Sequence, residues 1–343
     1  TDARMIGELA ALAQAAGGAM AVAALPESVS LQYHNPRTRA TDISHRIFGR
    51  ILTQGWRIAS FSSMTAALPP EAGEAPDRDA VPRTAVAEAP ALEGGDDLFA
   101  FPKGARAGIF FHDLLEHWDF QRKDAGYGDP LVAAKLEAHG FEARWQPAVA
   151  RMLARLVHVG LPTQVESGSF CLAQVPSSRR VNEMEFYFPL KRVGGEKLKQ
   201  YFKERGGAFF ADTAGRALER LTFAPMQGFM KGYVDTIFEH AGRFYLLDWK
   251  SNHLGNNWDD YALPRLSAVM AEEYYFLQYH LYVVALDQLL RQRLPAYDYQ
   301  RHFGGVYYLF LRGIQGPGAE TGIYYTLPDG GWVTALRELL VEQ

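Results

Sequence analysis

The run Gly232-Tyr233-Val234-Asp235-Thr236-Ile237-Phe238-Glu239-His240-Ala241-Gly242-Arg243-Phe244-Tyr245-Leu246-Leu247-Asp248-Trp249-Lys250-Ser251 constrains this chain more than any other segment. Its two halves are rich in β-branched and aromatic residues and apolar on both faces. They meet at Ala241-Gly242, the pattern of a hairpin inside a covered sheet. Whether the loop is Ala241-Gly242 or the four residues from His240 to Arg243, paired residues carry numbers that sum to 483. Asp235 then faces Asp248 beside the Ile237–Leu246 pair, with Cβ atoms about 5 Å apart. A three-residue loop would break this register and separate the two acids. Lys250, two residues past Asp248, falls on the same face, and Trp249 on the other.

Two ionised carboxylates at that spacing repel by about 3 kcal/mol at an effective dielectric of about 20. A sheet holds them only if one is protonated or a cation neutralises both, and hard oxygen donors on a rigid scaffold suit Mg²⁺ or Mn²⁺. Lys250 completes a set suited to phosphodiester cleavage. A divalent ion polarises a phosphoryl oxygen and acidifies its bound water, while a lysine orients that water or stabilises the added negative charge. The plainer reading makes Asp248 and Lys250 a surface ion pair near a strand end and leaves Asp235 in a turn.

The rest of the chain supplies the frame. At 343 residues, 48% hydrophobic and 22% charged, it suits one large domain plus a smaller piece, and it excludes wholesale disorder, a collagen repeat and a coiled coil. Its one cysteine, Cys171, cannot form an internal disulfide or a four-thiolate metal site, and it fits a reducing compartment. The alanine-rich stretch from Gly7 to Leu25 is interrupted by Glu8, Gln14 and Gly17-Gly18, so it should neither span a bilayer nor serve as a secretory signal. No G-x-x-x-x-G-K-[ST] phosphate loop is present.

Residues 1–66 read as an alanine-rich helix ending near Gly17-Gly18, a strand through Met20–Leu25, and a return at Trp56–Phe61. Residues 67–103 shift to Pro, Ala, Gly and acids, a tether composition; within 67–99, eight acids stand against Arg78 and Arg83. The remaining residues carry a small positive excess, so a polyanionic substrate is compatible with the overall charge of −4. Residues 104–343 give, in order, helices around Phe111–Trp118 and Ala148–Val157, a strand Val181–Leu190 closed by Pro189, the hairpin, a long helix Ala271–Arg293, and a strand within Gly304–Leu311. The expected fold class is α/β, a mixed central sheet flanked by helices.

Gly232-x-x-Asp235 followed by Asp248-Trp-Lys250-Ser-Asn resembles the nuclease domain of the exodeoxyribonuclease V beta-subunit (RecB) family, within the PD-(D/E)xK superfamily. Further segments resemble that family in order: Gly108-Ile-Phe-Phe-His112-Asp-Leu-Leu-Glu116, Asn182-Glu183-Met-Glu185-Phe, and Gln278-Tyr-His-Leu-Tyr282. Trp56-Arg-Ile-Ala-Ser60-Phe is similar to the segment that joins the family's helicase part to its tether. The resemblance implies a PD-(D/E)xK core over 104–343, a linker over 67–103 and a helicase remnant over 1–66.

The resemblance also implies roles. His112, Asp235 and Asp248 would hold Mg²⁺ near the backbone carbonyl of Trp249, with Mn²⁺ able to substitute and Ca²⁺ binding without supporting cleavage. Glu183, or alternatively Glu185, would be the acid of the first strand. Lys250 would assist the nucleophile. Gln278 and Tyr282, one helical turn apart, would position substrate, although without the resemblance Tyr275, Tyr279 and Tyr282 read as an aromatic core stripe. Lys197, Lys199 and Lys203 would touch strand phosphates, where a solvated helix face is the ordinary reading. Implied partners are DNA, chiefly single-stranded, and RecC-like gamma and RecD-like alpha subunits in the cytoplasm, with no membrane. The rival readings are a catalytically inactive scaffold that docks helicase subunits, and an enzyme of the same fold acting on RNA or structured DNA.

Overall fold

A computed structural model describes residues 2–23, 56–65, 98–122, 128–164, 168–206, 210 and 214–341. The chain divides into two units, Thr1–Leu52 and Thr53–Gln343. The described part of the first, residues 2–23, contains α1 (Asp2–Ala15), which has no buried side chain and carries an Arg4–Glu8 pair at 3.0 Å. Residues 20–23 are not a strand, and the rest of the strand expected at Met20–Leu25 lies outside the described residues, as does nearly all of the acidic tether.

The second unit begins with β1 (Trp56–Ala59), α2 (Phe61–Thr65), α3 (Ala105–His117), α4 (Pro130–Ala138), α5 (Gln146–His158), β2 (Leu161–Pro162) and β3 (Ser169–Phe170). It continues with β4 (Arg180–Val193), α6 (Gly195–Arg205), α7 (Gly215–Arg220), β5 (Met226–His240) and β6 (Arg243–Lys250). It ends with α8 (Leu263–Glu272), α9 (Tyr275–Arg293), α10 (Tyr299–His302), β7 (Phe303–Phe310), β8 (Ile323–Thr326) and α11 (Gly330–Leu340). Among the described residues, six strands form one mixed sheet in the order β1-β5-β6-β7-β8, with β4 on β5. Pairs β1–β5 and β6–β7 are parallel and the others antiparallel, so the fold is α/β with a mixed sheet between helical layers, as expected.

Alternation along the strands sends side chains into two cores. Phe186, Met230, Val234, Ile237, Leu246 and Tyr308 pack with α9 on one side. Phe238, Tyr245, Leu247, Trp249, Tyr307 and Leu309 pack with α3 and α5 on the other. Helix α9 is buried along most of its length, which explains a sequence apolar nearly all round. The long helix read from Ala271 is two helices: Tyr274 breaks the run with φ +57°, its hydroxyl donating to Ala217 O at 2.9 Å, and Ala271 belongs to α8. Pro189 does not close β4, which continues to Val193. Among the described residues, the edge of β4 away from β5 carries only an isolated bridge, Leu190–Val341, so the missing N–H costs little there.

The segment before α3 is fixed to the core. Phe101 is 1% exposed, and Arg312, equally buried, donates to the carbonyls of Leu98, Phe101, Pro102 and Ser251 at 2.7–2.9 Å.

Candidate active site

The hairpin register follows from its turn. Ala241 and Gly242 have φ of +49° and +77°, the paired positive values of a type I′ turn, whose twist matches the flanking strands. His240 pairs with Arg243 and Thr236 with Leu247, so the expected sum of 483 holds along the whole ladder. The ladder stops there, one level short of Asp235 and Asp248, so the expected face-to-face pair of these two acids does not form: Asp235 meets His112 of α3, while Asp248 lies with Lys250 beside α9. Past that point β6 diverges from β5, and the Asp235 side chain takes the place of a backbone acceptor: its Oδ2 receives the Trp249 N–H at 2.8 Å.

Strand β5 is where the sheet changes partners. β4 runs along one edge of β5. The other edge pairs with β1 over Gln227–Met230 and with β6 over Thr236–His240, leaving a notch at residues 231–235. Alternation also slips here, because Val234 and Ile237 point into one core and Phe238 into the other. On β4 the matching irregularity is Glu183, opposite Asp235 by count, with φ +50°. A left-handed backbone is costly for a residue with a Cβ and marks a position held by its surroundings.

Three donors converge at this slip. His112, Glu183 and Asp235 each offer a ligand atom, all within 4.8 Å of one another, and His112 Nδ1 lies 3.3 Å from Asp235 Oδ1. His112 comes from the buried face of α3, whose Phe111, Leu114 and Leu115 anchor the helix on the core. One imidazole nitrogen with two carboxylate oxygens is a donor set that Mg²⁺ or Mn²⁺ accepts. A second group, Asp113, Glu116 and His117, lies on the same helix, but Asp113 is already held by Lys135 at 2.7 Å and His139 at 2.8 Å.

Asp248 stands outside the His112 cluster. It is 4% exposed, and its Oδ1 lies 2.7 Å from the Nζ of Lys250, itself 2% exposed. The ammonium sits over the ring of Tyr275 at 4.1 Å and near that of Tyr308 at 5.3 Å, and it donates to Gln278 Oε1 at 3.4 Å. Gln278 Oε1 also accepts from Tyr308 Oη at 2.8 Å, and its amide donates to Tyr282 Oη at 3.0 Å. Asp248, Lys250, Gln278 and Tyr282 are therefore one buried network. Trp249 lies between Asp248 and Lys250 in sequence and points the other way, so the Trp249–Asp235 hydrogen bond joins this network to the His112 cluster.

The other nominated residues lie elsewhere. Glu185 is on the open face of β4, where Lys231 at 2.7 Å and the hydroxyls of Tyr233 and Tyr187 hold its carboxyl down at about 2. Of the α6 lysines, Lys199 pairs with Glu196 at 2.9 Å, Lys203 pairs with Glu219, and Lys197 is exposed. Sequence reasoning took Tyr275 for core and gave Tyr308 no role. Tyr275 is one turn before Gln278, a usable signal. Tyr308 meets Asp248 only through the parallel β6–β7 register, across some sixty residues.

No family model matches the chain. Among curated proteins it is 33% identical over 308 residues to the RecBCD enzyme subunit RecB of Escherichia coli K12, covering 87% of this chain and 24% of that protein. It is 30% identical over 244 residues to RecB of Buchnera aphidicola from Schizaphis graminum, covering 71% of this chain and 19% of that protein. To RecB of Mycobacterium tuberculosis H37Rv it is 31% identical over 337 residues, 86% of this chain and 29% of that protein. The chain thus spans roughly a quarter of the length of these relatives. Read with the α/β fold, these matches place the chain in the RecB family, over the C-terminal region of its members.

Proposed function

We propose that this region is a Mg²⁺-dependent deoxyribonuclease that hydrolyses phosphodiester bonds of DNA strands unwound by an attached helicase, within a complex containing RecC-like and RecD-like subunits. The observation that carries this reading is the Trp249–Asp235 hydrogen bond, which ties a three-donor cation cluster to a buried acid–lysine pair. His112, Glu183 and Asp235 would hold the cation, with Asp248 at the boundary between the two groups. When bound, the cation supplies Lewis-acid polarisation of a phosphoryl oxygen and a more acidic water.

The chain's own residues do the remaining work. Lys250 is oriented by Asp248, by the Gln278 oxygen and by two aromatic faces, so its side-chain nitrogen is aimed before substrate arrives. Such a fixed cation stabilises the extra negative charge that develops on phosphorus oxygens as water adds. Gln278 and Tyr282 present an amide and a phenol, groups that can position the strand or the attacking water. The test is cleavage of single-stranded oligonucleotides by the complete protein. Mg²⁺ should support cleavage, Asp248→Ala should abolish it, and Lys250→Ala should lower kcat at least a hundredfold while Mn²⁺ binding persists. A protein with intact fold but no Mg²⁺-dependent cleavage would be a docking scaffold instead.

A further inference from the structure

Among the described residues, the sheet side that carries α3 and α5 is covered only in part. Those helices lie over β6, β7 and the last residues of β5, whereas Trp56, Tyr187, Phe229 and Tyr233 remain 64%, 51%, 37% and 36% exposed on β1, β4 and the first half of β5. Trp56 and Phe229 meet edge to face at 5.4 Å, and the Lys231 ammonium lies 5.1 Å from the Tyr187 ring and 5.2 Å from the Tyr233 ring. Along β5, Phe229, Lys231, Tyr233 and Asp235 alternate onto this face at steps of about 7 Å. The row therefore runs, ring, ammonium, ring, straight into Asp235, and on β4 Tyr187 and Glu185 lead likewise to Glu183.

Isolated exposed aromatics need no explanation, but four of them flanking a cation on one flat face do. Flat rings on a rigid strand accept the faces of unpaired bases of any sequence, and a lysine between them suits the connecting phosphate. Glu185 pairs with Lys231, so the lane is close to neutral and stacking carries more of the binding than charge does. Whatever occupies this face abuts the cation cluster, and a strand to be cut must lie beside that cluster. We infer that the open face formed by Trp56, Tyr187, Phe229 and Tyr233 is a sequence-tolerant stacking platform for single-stranded nucleic acid, laid out to deliver the strand to the Asp235 end of β5. This inference names the substrate path for the activity proposed above and rests on that reading.

Two measurements on the complete protein test it. The first is ultraviolet cross-linking to oligothymidylate in EDTA, where nothing is cut, followed by peptide mapping; cross-links should fall on Trp56, Tyr187 or Tyr233. The second is steady-state cleavage with Mg²⁺, in which Trp56→Ala and Tyr233→Ala should each raise KM about tenfold with kcat changed less than twofold, while Tyr233→Phe, which keeps the ring, should restore most of the lost KM. Absent cross-links together with unchanged KM would overturn the platform. So would variants that keep KM but no longer co-purify with partner subunits, because the face would then be a protein interface. If cross-links map to the face while no substrate is cleaved, the platform stands and the nuclease reading falls.

Discussion

Glu183 occupies a backbone region that an L-residue enters at a cost of about 1 kcal/mol, and it does so opposite Asp235, in the cluster with His112 proposed to hold the cation. If the strain serves the site, Glu183→Gly should raise stability by about 0.5–1 kcal/mol in denaturant melts and still lower kcat at least a hundredfold. A different residue-scale effect comes from His280 on α9, 2% exposed, with Nδ1 2.6 Å from Phe276 O and its ring stacked on Tyr279. Burial drives its pKa down to about 4, and among the described residues Nε2 has no hydrogen-bond partner. The unfolded chain thus takes up a proton near the ordinary value of about 6.5 that the folded chain refuses until about 4. Stability is full above the higher value and falls as pH drops through that window, by on the order of 3 kcal/mol at its foot. Melting curves between pH 7 and 4 should show the loss, and His280→Phe should flatten it.

Among the elements, β1 is the one on which the open face most depends. It is four residues long and joins β5 in parallel, where Gly228, φ +134°, lies so close that an added Cβ would stand 2.2 Å from Arg57 O. Gly228→Ala should release β1, lower Tm by several degrees and, with Trp56 displaced, weaken oligothymidylate binding, while leaving the hairpin and Lys250 in place; hydrogen exchange at Trp56–Ala59 would report it. The elements also differ in how well the sequence announced them. The hairpin was legible because Ala241-Gly242 permits the paired positive φ that fixes a two-residue register, and alternation then carried Asp248 and Lys250 to one face. The slip at Glu183 and Asp235 was not, since β4 reads as regular there and the irregularity exists only in the pairing. The start of α9 was misplaced because what stops the run at Tyr274 is a tertiary hydrogen bond to Ala217 O, with no glycine or proline to show it.

Taken as a whole, the second unit places every nominated acid but Glu185, together with Lys250, Gln278 and Tyr282, in or against two clusters joined at Asp235. Motif spacing could indicate that grouping, but the clasp of Tyr275 and Tyr308 on Lys250 required the packing of α9 on β6 and β7. Because a cation that binds the folded cluster and not the unfolded chain stabilises by mass action, Mg²⁺ at a hundred times its Kd should add about 2.7 kcal/mol. The thermal shift should vanish in Asp235→Asn and survive in Glu185→Gln. The guanidinium of Arg312 has one more implication. It grips Leu98, Phe101 and Pro102 on one side and Ser251, the neighbour of Lys250, on the other. A pull reaching Leu98 from upstream is shared by the ring packing of Phe99 and Phe101 and by this guanidinium, whose far contact lies one peptide away from that lysine, so part of any mechanical load on the chain passes beside the ammonium.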